Sequence, residues 1–255
     1  MGSSVKISEV KSVEGVAGIP KGLSFFDPLI RHETEEALEA GGEAYVSEGL
    51  AGEKNGLFIY DGWEATGTIF TRSKEAFDLF FALKPSSYIF SELDVPDLER
   101  ENWNIWQLEV GGTPPSHRFR HHVSMATDVK EIEGFMAATQ PETNPRWIAV
   151  ALRHGDKCFV TRVENRVVGM AWMTVAGTVA RSHGLYVEPR FRRMGIMKDN
   201  FEARLIYLRS RGVRTLVNEI AEENVASSKH AESIGEKVVG RLYLYVSPDR
   251  EGATA

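Results

Sequence analysis

The sequence predicts an α/β protein in two halves, and three observations carry that expectation. Met197, Phe201, Leu205 and Leu208 recur at i, i+4, i+8 and i+11, marking an amphipathic helix directly after the apolar run "GLYV". Strand-like stretches before and after that helix alternate with further helical patterns, as in a mixed α/β domain. The segment "GGTPPS" (111–116) suits neither helix nor strand interior and divides the chain. We therefore expect a mixed α/β domain over 1–110, a linker over 111–118 and a second domain over 119–255.

In the first half, residues 56–60 and 66–71 read as short strands. A helix follows from Ser73 to Leu83, with Ala76, Phe77, Phe80 and Phe81 as its apolar stripe. "WNIWQLEV" (103–110) reads as a further strand. "HETEE" (32–36) lacks the second histidine of a zinc-protease helix and reads as a solvated helix face.

The second half opens with a strand in "FRHHVSMA" (119–126). Asp128 caps a helix to Thr139 that carries Ile132, Phe135 and Met136 on one face, and a second helix over 146–153 ends at Gly155. Residues 157–177 form two strands around a turn at 164–166, and a third strand covers 178–187. After the marked helix, "RTLVNEIA" (214–221) is a strand, 225–234 a helix ending at Gly235, and "KVVGRLYLYV" the closing strand or hairpin.

Composition bounds the function. The 255 residues, 42% hydrophobic and 26% charged, are those of a globular protein. No apolar run reaches the roughly 20 residues of a membrane span, and "MGSSVKISEV" shows no signal-peptide core. One cysteine, Cys158, forbids an intramolecular disulfide and suits a reducing compartment; it reads as core filling, and the expected location is the cytoplasm. A net charge of −6 argues against nucleic-acid binding, and nothing points to a membrane partner. Residues 189–214 nevertheless hold eight Lys/Arg against Asp199 and Glu202, a local +6 that leaves −12 for the remainder. Such a block suits a small anionic ligand.

That block opens with "EPRFRRMGIMKDN" (188–200). A helix start exposes unsatisfied N–H groups and the positive end of its dipole. Gly195 permits backbone angles other residues avoid, so main-chain amides from about Arg193 to Lys198 can converge on phosphate oxygens, with Arg192, Arg193 and Lys198 adding formal charge. A strand–helix turn with a solvated basic rim is the other reading of this loop alone.

The order strand, "RRMGIM", helix, strand, Asn224, helix, Gly235 resembles the GNAT family, the acetyltransferases that use acetyl-CoA. "RRMGIM" matches the family's Arg/Gln-x-x-Gly-x-Gly/Ala at Arg192 and Gly195, with Met197 in place of the last small residue. Asn224, eleven residues before Gly235, matches a second signature, although Glu236 replaces the common Phe. The resemblance covers about residues 119–246. It implies a GNAT-like mixed sheet flanked by helices, and leaves the first half either a degenerate copy of that fold or a separate α+β domain.

The resemblance further implies acetyl-CoA as cosubstrate. Backbone groups of Leu185, Tyr186 and Val187 would bind pantetheine. Arg192, Arg193, Met194, Gly195, Ile196, Met197 and Lys198 would cradle the diphosphate, and Asn224, Ser227 and Ser228 would contact the pantetheine arm or the ligand's edge. The implied reaction is direct attack of an amine on the thioester. An alkyl amine is only about one part in 10³ deprotonated at neutral pH, so a base contributes. His183 is the first candidate and Glu219 the second. Relatives place a tyrosine acid seven residues after the Asn, where this chain has Ala231; water or Tyr186 could substitute. His117, His121 and His122 cluster without metal-ligand spacing, so no metal is expected. The leading expectation is N-acetylation of a small-molecule or amino-acid-like amine. Modification of a protein lysine or N-terminus, and CoA binding without turnover, are the alternatives. Oligomerisation is left open.

Overall fold

The computed structural model describes residues 5–247 apart from 25, 63, 86, 112–116 and 142–144. Its elements in chain order are β1 (Lys6–Val10), α1 (Ile30–Ala40), β2 (Glu43–Glu48), β3 (Lys54–Asp61), β4 (Thr66–Thr71), α2 (Lys74–Leu83), β5 (Tyr88–Ser91) and β6 (Arg100–Glu109). They continue with β7 (His122–Met125), α3 (Val129–Thr139), α4 (Pro145–His154), β8 (Lys157–Val163), β9 (Arg166–Ala176) and β10 (Val179–Val187). The last four are α5 (Ile196–Ser210), β11 (Thr215–Ala221), α6 (Val225–Ser233) and β12 (Lys237–Val246). Most of the linker expected at 111–118 lies outside the described residues.

The chain divides into two compact units. The first comprises residues 1–105, 219–232 and 238–255; the second comprises 106–218 and 233–237. In the first, β1 through β4 pair antiparallel in sequence order, β4 pairs β5 in parallel, and β12 returns from the far end of the chain to pair β5 antiparallel. The core of this unit stacks Phe77, Phe80 and Phe81 of α2 on Phe58, Ile69 and Tyr245. Ser73, where the helix was expected to begin, is the N-cap of α2, its hydroxyl accepting the Ala76 N–H at 3.2 Å.

The second unit repeats this order. β7, β8, β9 and β10 pair antiparallel in sequence, and β10 pairs β11 in parallel across the crossover helix α5. Both units thus have four antiparallel strands, a crossover helix and a fifth parallel strand, although no residue-level repeat links them. Two apolar layers cover the second sheet. Ile132, Phe135, Met136 and Ile148 of α3 and α4 pack on Cys158, Met170 and Trp172. Phe201, Leu205 and Leu208 of α5 pack on Phe159, Met173 and Ala180. Asp128 caps α3 through the Lys130 N–H, and the β8–β9 turn places Glu164 and Asn165 at positive φ. Burial pushes the Cys158 thiol well up, in keeping with an inert core residue.

The expectation of a solvated face at 32–36 is corrected. The segment is helical, but Glu36 is buried and lies 3.4 Å from His32 one turn earlier. The i, i+4 spacing gives the buried carboxylate a nearby imidazole, which composition alone does not reveal.

Candidate active site

β10 carries the site's backbone. Its parallel ladder with β11 covers Val179, Ala180 and Arg181 against Thr215, Leu216 and Val217. Against β9 the register is regular to His183↔Trp172, then shifts and resumes at Tyr186↔Met170. Three steps on β10 match two on β9, so one extra residue bulges out, with Gly184 at φ +56° inside the bulge. A Cβ on Gly184 would come within 2.9 Å of Trp172 Cδ1, so the residue must be glycine for space as well as for angle. The bulge takes main-chain groups of Gly184 and Leu185 out of the β9 ladder, which frees a strand amide for an external acceptor.

The strand then turns through Pro189–Phe191, a 3-10 turn, into α5. Glu188 donates its N–H to Val168 O at 2.9 Å, while its carboxylate pairs with Arg166 and Arg190. Arg192 donates its Nε–H to Val187 O at 3.1 Å and lies over the Tyr186 ring at 5.9 Å. Arg193 holds φ +65° and Gly195 φ +87°, so two residues of this short loop are left-handed. Gly195 is the N-cap of α5 and supplies no side-chain acceptor. The N–H groups of Ile196, Met197 and Lys198 are consequently the orphan donors of a helix start. Space beyond Gly195 is open, since a Cβ there meets nothing within 4 Å. Arg192, Arg193 and Lys198 are exposed around it, and Arg193 and Lys198 form no ion pair among the described residues. Uncapped amides, a left-handed glycine, open space and available cations fit a diphosphate. The matching junction of the first unit, between β4 and α2, is closed by the Ser73 cap.

Two contacts fix the loop from below. Gly169 on β9 opposes Val187, and a Cβ on it would approach Ile196 Cγ2 to 2.8 Å, so α5 begins almost in contact with the sheet. Asn200 Nδ2 donates to Phe159 O at 2.9 Å and Thr161 Oγ1 at 3.2 Å, pinning α5 to β8.

Asp199 anchors the same turn from inside. Its carboxylate accepts from His117 Nε2 at 2.6 Å, His121 Nδ1 at 2.7 Å, and the N–H groups of Arg120 and His121 at 3.1 and 3.0 Å. Two of the three histidines singled out in the sequence, His117 and His121, thus spend ring nitrogens on a buried carboxylate. Burial raises the Asp199 pKa, but the hydrogen bonds from His117, His121 and the two amides outweigh it and leave the group below its usual value. A depressed folded pKa stabilises fully above the ordinary aspartate value of about 3.9 and is lost as pH falls through the folded value. Asp199→Asn is therefore expected to cost about 2 kcal/mol or more at pH 7, with a penalty that shrinks below about pH 4. Denaturant melts of both proteins between pH 7 and 3 check this; a penalty constant with pH contradicts it.

Arg204 belongs to a different cluster. Counted in the sequence with the basic block, it is instead only 2% exposed. It donates to Ser182 Oγ, and desolvation by burial, opposed by the Glu236 charge, brings its pKa down to about 10. Glu236 accepts from Asn218 Nδ2 at 3.0 and 2.9 Å and is itself pushed up by burial, against the pull of Asn218 and Arg204. Ser182 and Asn218 directly follow the last parallel pair of β10 and β11, so this network sits where the parallel ladder ends.

Of the other expected residues, His183 is half-buried on β10, with Nε2 3.2 Å from Thr174 Oγ1. Leu185, Tyr186 and Val187 end the strand, and Tyr186 packs edge-on against Phe135 at 6.1 Å. A cavity of about 610 Å³ opens beside it, lined by Phe135, Ala138, Val167, Tyr186, Glu188 and Pro189 among others. Glu219, Asn224, Ser227 and Ser228 belong to the first unit. Asn224 Oδ1 accepts the Ser227 N–H at 3.2 Å, so its oxygen caps α6 and its amide nitrogen is the group left to donate. Ala231, where relatives carry a tyrosine, is buried. Sequence reasoning missed Asp199, Thr174, Asp156 and the Arg204–Glu236 pair; the replacement of Phe by Glu236 was the one signal that pointed towards them.

Residues 125–235 match the family model described as acetyltransferase (GNAT) family. No curated protein sequence matches the chain. Among solved structures, a tandem GNAT protein from the clavulanic acid biosynthesis pathway is similar at TM-score 0.60 and 12% identity, over 95% of this chain and 98% of that one. An acetyltransferase of the GNAT family from Colwellia psychrerythraea is similar at TM-score 0.57 and 12% identity, over 95% and 99%. A GCN5-related N-acetyltransferase from Sphaerobacter thermophilus is similar at TM-score 0.58 and 12% identity, over 81% of each chain. At such identities the likeness is one of fold, and it extends over both halves. The bulged strand and the uncapped glycine junction both fall within residues 125–235, the stretch that matches the GNAT acetyltransferase family model.

Proposed function

We propose that the protein transfers the acetyl group of acetyl-CoA to the amine of a small-molecule or amino-acid-like acceptor. The observation that carries the reading is the junction at Gly195, where open space, orphan amides and available cations coincide. In this reading the N–H groups of residues 193–198 hold the diphosphate, with Arg192, Arg193 and Lys198 as electrostatic support. Leu185, Tyr186 and Val187 face the pantetheine. The cavity beside Tyr186 is the space offered to the acceptor.

The chemistry follows from the groups on β10. A neutral amine attacks the thioester carbonyl, the C–N bond forms, the C–S bond breaks and CoA leaves as its thiolate. A strand amide near the bulge stabilises charge developing on the carbonyl oxygen. His183 takes the amine proton. A thiol of pKa about 8.5, by analogy with cysteine, leaves without a dedicated acid, which fits the buried Ala231.

The test is release of free thiol from acetyl-CoA across a panel of small amines, amino acids and lysine or N-terminal peptides. Turnover with small amines supports the reading, and turnover with peptides alone replaces it with protein modification. Tight CoA uptake with no thiol released by any acceptor favours the CoA-binding module, the alternative that Ala231 recommends. His183→Ala is expected to lower kcat by about 10²-fold or more with CoA affinity unchanged. An unchanged kcat removes His183 from the mechanism.

A further inference from the structure

Three side chains of the second unit form a buried chain that ends at His183. Gly155, at φ +103°, turns the chain after α4, and the Asp156 N–H bonds Ala151 O at 2.9 Å. This directs the Asp156 carboxylate inward, where its side chain is fully buried. Thr174 on β9, also buried, lies 2.9 Å from Asp156 Oδ2 and 3.2 Å from His183 Nε2 through the same hydroxyl oxygen. Asp156 Oδ2 and His183 Nε2 are 3.6 Å apart.

The donor inventory fixes the rest. A threonine hydroxyl has one hydrogen, and an ionised carboxylate only accepts, so with Asp156 ionised that hydrogen goes to Asp156. The contact with His183 must then be one that Thr174 accepts, which puts the imidazole proton on Nε2. A neutral ring protonated on Nε2 carries its lone pair on Nδ1. No described residue bonds Nδ1; Trp147 flanks the ring edge-on at 5.8 Å.

We propose that Asp156 and Thr174 are positioning residues that make Nδ1 the proton-accepting atom of His183. The inference rests on the reading of His183 as the base. Thr174 selects the tautomer and fixes the ring's rotation. When the attacking amine gives its proton to Nδ1, Nε2 keeps its own, and the imidazolium so formed lies within ion-pair distance of the Asp156 carboxylate. The proton then passes from Nδ1 to the departing thiolate or to water, and His183 returns neutral with Nε2 still protonated. The arrangement serves the purpose of a carboxylate behind a catalytic histidine, relayed through one hydroxyl.

The test uses the full chain. Thr174→Val removes the hydroxyl at nearly constant shape and is expected to lower kcat by about 10- to 100-fold with the acetyl-CoA KM unchanged. Thr174→Ser should restore kcat to within a few-fold of wild type, and Thr174→Val should have no further effect in a His183→Ala background. A wild-type kcat in Thr174→Val, or an equal loss in the His183→Ala background, overturns the proposal while leaving the base reading intact. An unaltered kcat in His183→Ala defeats the base reading itself, and the proposal with it. Should Thr174→Val fail to fold, the ¹⁵N-histidine correlation spectrum of the wild type decides. The signal absent from His183→Ala must show a protonated Nε2 and a bare Nδ1; the opposite tautomer overturns the assignment.

Discussion

Gly195→Asp is expected to weaken acetyl-CoA binding at least about a hundredfold while the protein stays folded. Gly195 has φ +87°, which costs an ordinary residue about 1–2 kcal/mol, but its missing Cβ points into open space. Aspartate is also a favoured N-cap, so part of that cost is recovered at the start of α5. Net stability is expected within about 1–2 kcal/mol of wild type. Binding fares differently, because the carboxylate occupies the space opened for phosphate and its charge opposes it. It also occupies the amides of the first turn. A loss of about 3 kcal/mol or more, at least a hundredfold in Kd, is expected. Gly195→Ala carries the same backbone strain without the charge and should lose about tenfold. Isothermal titration with CoA, paired with denaturant melts, checks both. Equal weakening by alanine and aspartate contradicts an anion at this junction.

The second large effect concerns stability. Arg204→Met leaves the Glu236 carboxylate buried without its counter-charge and is expected to cost about 3–5 kcal/mol. Adding Glu236→Phe, which restores the residue common at this position among relatives, removes the second charge. The double variant should recover most of the loss, since it removes both buried charges rather than leaving one uncompensated. Denaturation midpoints of the two singles and the double measure the coupling. Additive costs would show that Arg204 and Glu236 are independent. The location adds a functional consequence. Ser182 and Asn218 tie this pair to the first residues of β10 and β11 beyond their parallel ladder, so its loss should also weaken CoA binding if the divergence of those strands holds pantetheine.

What the sequence disclosed, and what it hid, follows from the range over which each feature is encoded. The α5 helix was legible because Phe201, Leu205 and Leu208 repeat at helical spacing, and the α3 cap because Asp128 immediately precedes an apolar pattern. The junction at Gly195 was legible since glycine, arginines and a helix start fall within one turn. The strand order shared by the two units was not, because different residues realise it in each. β12 pairs with β5 across some 150 residues, which no local pattern announces. Charge counting misled in one respect. It treated Arg204 as a member of the basic block, but side-chain direction on the helix turns that guanidinium into the core, leaving Arg192, Arg193 and Lys198 exposed at the junction. The Asp156–Thr174–His183 chain needed three elements brought together in space.

Everything functional turns on where a diphosphate meets the chain, and the structure of the protein crystallised with CoA measures that directly. Phosphate oxygens are expected within about 3 Å of the N–H groups of Ile196, Met197 and Lys198, beneath Arg192 and Arg193. A diphosphate bound elsewhere, with those amides turned to solvent, contradicts the phosphate cradle and the acetyl transfer built upon it.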